Sequence, residues 1–94
     1  MESLPITDSG NVPVYDCHVI LSPQDEQGLF FARVASLPSV TATGNSERDV
    51  LQKIVATFKA KLIEYRNAGQ PIPWAETPET PGPGEVERWI PVHL

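Results

Sequence analysis

The stretch that most constrains this chain runs from Ser46 to Gly69, where one long helix is specified and closed at both ends. Ser46 suits an N-cap, because its hydroxyl can accept a first-turn N–H that has no partner inside the helix. Asp49, three residues on, completes a box-like cap with a carboxylate one methylene shorter than the usual Glu. Leu51, Ile54, Val55, Phe58, Leu62 and Tyr65 follow at three- and four-residue spacings, which lays one apolar stripe along a helix from Glu47 to Ala68. Gly69 stands where a left-handed C-cap belongs, and Pro71 and Pro73 forbid continuation. A single helix with a single stripe has to bury it against a second layer.

The residues before the helix supply that layer. Val14 to Leu21 (VYDCHVIL) carries β-branched and aromatic residues, with Tyr15, Cys17, Val19 and Leu21 on one face and Asp16, His18 and Ile20 on the other. Ser22 to Gly28 is polar and ends in a glycine free to take positive φ, which predicts a hairpin-type turn. Leu29 to Val34 is the second predicted strand, with Phe30, Ala32 and Val34 on one side and Leu29, Phe31 and Arg33 on the other. After the Leu37-Pro38 break, Val40 to Thr43 forms a short third strand. Three successive strands with short links fold most simply as an antiparallel meander.

Beyond the helix, residues 70–84 hold five prolines and two glycines, which excludes both a helix and a central strand. Glu85 to Leu94 regains strand character, and Pro91 restricts it to a sheet edge or a bulge. The expected layout is α+β in the order β-β-β-α-β: an antiparallel sheet of three to four strands with the helix on one face. Its parts are a flexible arm over 1–13, a core over 14–69, a proline-rich connector over 70–84 and a C-terminal strand over 85–94.

Charge narrows the range of functions. With 94 residues and a formal net charge of −5, the chain is one small acidic domain. Arg48, Lys53, Lys59, Lys61 and Arg66 are scattered along the helix rather than clustered, so phosphate-backbone binding is not expected. An acidic surface instead favours a basic protein partner. No apolar run is long enough to span a bilayer, and the opening Met-Glu-Ser-Leu-Pro lacks the basic start and apolar stretch of a signal peptide, so a cytoplasmic protein with no membrane partner is expected.

The residue types that carry chemistry are present without their usual companions. Cys17 is the only cysteine, which rules out an internal disulfide and reads as a small core residue. His18 follows it directly and so points to the opposite strand face, while His93 lies next to the last residue. Asp16 is the one acid borne on the predicted first strand, where a two-metal nuclease would need several converging carboxylates. Ser22 and Ser39 lack a nucleophile-elbow context, and no phosphate loop or dinucleotide fingerprint occurs. The chain is therefore not expected to be an enzyme or to hold a cofactor or metal.

The order of residues from Tyr15 to Pro73 resembles the HicB antitoxin-like family. The likeness lies in the Tyr15-led strand, the Gly28-Leu29-Phe30 turn and aromatic strand, and the Ser36-Leu37-Pro38-Ser39-Val40 element. It continues in the Gly44-Asn45-Ser46-Glu47-Arg48-Asp49-Val50 helix start and the Gly69, Ile72-Pro73 exit. The family commonly has Pro-Asp-Leu-Pro-Gly where this chain has Ala35-Ser36-Leu37-Pro38-Ser39, and Asp-Thr where it has Asn45-Ser46. The resemblance implies a partial ribonuclease-H-like sheet with one packed helix. It also implies a role in neutralising HicA-like toxins, small basic proteins that cleave messenger RNA. Many relatives carry a further DNA-binding segment after this domain; the sequence leaves no room for one before Leu94, so duplex DNA is not an expected ligand.

Two expectations about assembly follow. If the sheet face away from the helix is uncovered, the residues offered there are His18, Ile20, Leu29, Phe31 and Arg33, with Trp89 from the last strand. An apolar face of that kind marks an interface, with a small basic toxin or with further copies of the chain as a homo-oligomer. The competing expectation is that the arm or the connector, with Trp74 or Trp89, folds over this face.

Overall fold

The computed structural model describes residues 14–94; the expected arm over 1–13 lies outside the described residues. The elements are β1 (Val14–Ser22), β2 (Phe30–Val34), β3 (Leu37–Gly44), α1 (Glu47–Ala68) and β4 (Val86–His93). They form the expected α+β layout, with four antiparallel strands in the spatial order β3-β2-β1-β4. Strands β1, β2 and β3 are joined by two hairpin turns, the first of which satisfies its own polar groups. The Asp25 carboxylate accepts from the N–H groups of Gln27 and Leu29, each at 2.9 Å, and Gly28 takes φ 80°. At the other hairpin only Ala35 and Ser36 separate the paired Val34 and Leu37, and the register slips between Arg33 and Val34.

The helix begins and ends where its caps place it. Ser46 Oγ accepts from the Asp49 N–H at 3.0 Å, and Asp49 Oδ2 accepts from the Asn45 N–H at 3.2 Å. Gly69 adopts φ 67°, and its N–H reaches back to the Arg66 carbonyl. The buried row is Val50, Ile54, Phe58 and Leu62, so the stripe is turned toward Val50 relative to the sequence reading. Leu51, Val55 and Tyr65 are left half-buried at its margin. This row packs with Cys17, Val19, Leu21, Ala32, Val34, Leu37, Val40 and Val92 to form the core.

Two expectations need correction. The third strand is longer than Val40 to Thr43: it runs from Leu37 to Gly44 and contains Pro38. A proline is tolerated there because β3 is an edge strand and one missing N–H need not break a ladder. Leu29 precedes β2 and belongs to the turn, where its N–H and carbonyl both bond to Asp25. The connector has neither helix nor strand, as its prolines require, and it is fastened to the rest of the fold. It turns around the β2–β3 hairpin, with the Ala75 N–H donating to the Ser36 carbonyl and the Glu79 N–H to the Ala35 carbonyl. From there it crosses the sheet face opposite the helix to reach β4.

Candidate interaction surface

The centre of the face away from the helix is closed. Ile20 lies on that face between Arg33 of β2 and Glu87 of β4, and it is 0% exposed. The connector is tied at Ala35 on one side of it, and Glu85, the residue that follows the connector, is tied at Ser22 on the other. The expectation of a fully uncovered outer face is thus overturned, and the connector does the covering. Trp74 takes no part in this: it packs on the helix side, 6.0 Å from the Tyr15 ring and 6.1 Å from Phe58.

Arg33 is the clamp. Its guanidinium donates from both terminal nitrogens to Glu85, at 2.8 and 3.1 Å, and from Nε to Glu79. A fork of this kind matches carboxylate geometry, and several fixed donors favour the charged acid. Glu85 is accordingly held down to about 2, first by Arg33, then by the Ser22 hydroxyl at 2.6 Å and the Gly82 N–H. The same hydrogen bonds push Arg33 further toward its protonated form. Arg33 therefore reads as a fastener within the fold and is not free for a partner.

What the strap leaves open lies at two margins. On the β2–β3 side, Phe31 is 39% exposed, opposite Ser22 and Thr43, at the root of the turn that carries Asp25 and Glu26. Leu29 is half-buried beside it in the chain. On the β4 side, Trp89 is 61% exposed and stacks on His18 with ring centroids 3.6 Å apart, while His18 Nε2 meets Glu87 Oε2 at 2.6 Å. The six residues nominated from sequence thus divide into a buried centre, Ile20 with its clamp Arg33, and two separate flanks.

A further feature lies on the helix side. Helix α1 lies mainly over β3 and β2 and only touches β4, which leaves an open groove of about 630 Å³ beside it. Leu51, Val55 and Ile90 give the groove its apolar lining, with Glu47, Arg48 and Gln52 around it. Arg88 reaches from β4 to Glu47 at the first helical turn, Nε to Oε2 2.9 Å. Sequence reading missed this groove. Its signal is the pair Leu51 and Val55, which sit one position off the buried row and so face sideways.

The chemistry-bearing residues do not converge. Cys17 is buried in the core, and burial pushes its thiol up to about 12, so it stays protonated at neutral pH. Asp16 is exposed on β1 opposite Pro91. Among the described residues, no group of three or more His, Cys, Asp or Glu side chains is placed to hold a metal ion, and no helix is long and apolar enough to cross a membrane.

The fold and its exposed margins define a two-layer α+β domain built of one sheet and one helix. Compared with protein-family models, with curated proteins and with solved structures, the chain finds no match.

Proposed function

We propose that this domain binds and blocks a small basic protein, as a HicB-like antitoxin blocks a HicA-like messenger-RNA-cleaving toxin. The observation that carries the reading is Phe31, an aromatic side chain left exposed on a face whose centre the chain has otherwise closed. It lies at the root of an acidic turn, on a chain of net charge −5. Acidic surroundings speed the encounter with a cationic surface, while an aromatic anchor inserted into the partner sets how long the complex lasts. The resemblance of Tyr15 to Pro73 to the HicB-like family supports the same reading from the order of residues.

The test is affinity capture from the native host with the full chain and with Phe31→Ala and Glu26→Gln. Under this reading a small basic protein is recovered in stoichiometric amount. Its affinity falls about 10-fold or more with Phe31→Ala and only slightly with Glu26→Gln, as expected for a central anchor against a rim charge. Co-expression of the chain also relieves the growth arrest caused by that protein. A captured protein that binds the Phe31→Ala variant equally well, or whose toxicity the chain leaves unchanged, refutes the reading. Circular dichroism checks that the variants are folded.

A further inference from the structure

We infer that the free edge of β4 is a seam for a second copy of this chain, paired antiparallel about a two-fold axis at Ile90. Backbone direction comes first. The Ala35 N–H donates to the His18 carbonyl, so the even-numbered residues of β1 turn their backbone polar groups toward β2. The odd ones, Tyr15 to Leu21, turn theirs toward β4 and meet Val92, Ile90, Arg88 and Val86. Glu87, Trp89 and His93 therefore present both N–H and C=O to the outer edge of β4, and Pro91 presents its C=O alone. Pro91 sits at one of the positions where its missing N–H breaks no bond to β1. Among the described residues no strand pairs with this edge.

An edge of this length is an exposed template unless something occupies it. The sequence of β4 selects the occupant, because one antiparallel register is self-complementary. With Ile90 on the axis, Glu87 faces His93 of the second copy and Trp89 faces Pro91, both relations repeated by symmetry, and the ladder lacks only the bond to each Trp89 carbonyl that Pro91 cannot give. Glu87 and His93 share the outer sheet face with Trp89, so a carboxylate and an imidazole, acceptor and donor, meet across the seam. Trp89, now 61% exposed, gains the proline ring as a cover. On the helix side the two Ile90 side chains meet as a close non-hydrogen-bonded pair, and the two apolar grooves join at their common wall.

The alternative registers are worse on the same criteria. Moving the axis to Arg88 sets like charges opposite each other. Pro91 costs the ladder the same two bonds in each of these registers and does not choose between them; an axis at Trp89 or at Pro91 is worse because it gives up the pairing of Glu87 with His93. The inference does not depend on the proposed function, since Phe31 lies on the other flank of the sheet.

The test uses the full chain at about 50 µM in light scattering coupled to size exclusion. The expected mass is twice the chain's 10.3 kDa. Trp89→Lys, with an unchanged circular dichroism spectrum, is expected to weaken self-association 10-fold or more. Register is read from cysteine cross-linking under a mild oxidant. Ile90→Cys forms a disulfide-linked dimer, because paired Cα atoms on the axis lie about 4.5 Å apart, within disulfide reach. Glu87→Cys does not, because its opposite residue is His93. A monomer at this concentration, a dimer that tolerates Trp89→Lys, or cross-linking as fast through Glu87→Cys as through Ile90→Cys overturns the inference. Loss of the dimer with capture of a basic protein intact removes this seam and leaves the proposed function standing.

Discussion

At Gly44 an added Cβ would lie 2.6 Å from Asp49 Oδ2 and 2.8 Å from the Val50 backbone nitrogen. The carboxylate can swing away, but the helix backbone cannot, because Val50 is fully buried and its N–H is committed to the Ser46 carbonyl. Gly44 is therefore where β3 comes close enough to α1 for the cap to form. Gly44→Ala is expected to destabilise the fold by about 1–2 kcal/mol. That is the overpacking cost less the smaller gain from a stiffer unfolded chain. The midpoint of urea unfolding should fall with an unchanged slope; a midpoint at or above the wild type would mean that the helix start yields freely. From sequence, Gly44 is legible as a helix opener. The close approach is not, since it depends on where β3 delivers the chain.

At the scale of elements, what was legible and what was not follow one rule. The helix was legible to its last residue because Ser46 and Gly69 act on neighbours three or four positions away. The strands of the meander were legible because alternation is local. The strap was legible only as one of two alternatives, because its fastenings join Arg33 to Glu79 and Glu85, 46 and 52 residues apart, and nothing local chooses between covering and exposure. Two of the six expected interface residues, Ile20 and Arg33, are taken up beneath it for that reason. The strap carries its own pH dependence. Glu85 titrates at about 2 when fastened against an ordinary 4.5, so the bonded acid stabilises the closed form fully above pH 4.5. That contribution is lost as pH falls from 4.5 toward 2. The Ala75 and Glu79 amides, which hold the connector to the hairpin, should lose exchange protection over that window relative to core amides. Arg33→Met should already show the loss at neutral pH. Equal protection in both proteins at pH 6 would show that the backbone bonds alone secure the strap.

At the scale of the whole molecule, salt separates the two kinds of association. The chain carries a formal net charge of −5, so any second copy brings another −5 to the seam, while a basic partner brings the opposite sign. Charges separated by more than about 10 Å are largely screened at 0.1 M salt, and longer-range steering persists below that. The seam is held by backbone hydrogen bonds and apolar contacts around Ile90 and Trp89, which salt does not screen, and its long-range electrostatics are repulsive. Raising salt from about 20 to 500 mM should therefore leave the dimer as tight or tighter. The same change should slow association with the basic partner by roughly 10-fold or more, because the steering that speeds encounter is lost. Dissociation from that partner should change little, since the buried aromatic sets it. Sedimentation velocity across the salt series reads the first quantity and stopped-flow mixing the second. A dimer that falls apart at 500 mM would show that attractive ion pairs, such as Glu87 with His93, carry the seam in place of Ile90 and Trp89. An association rate indifferent to salt would remove net charge from the account of partner choice and leave Phe31 alone to explain it.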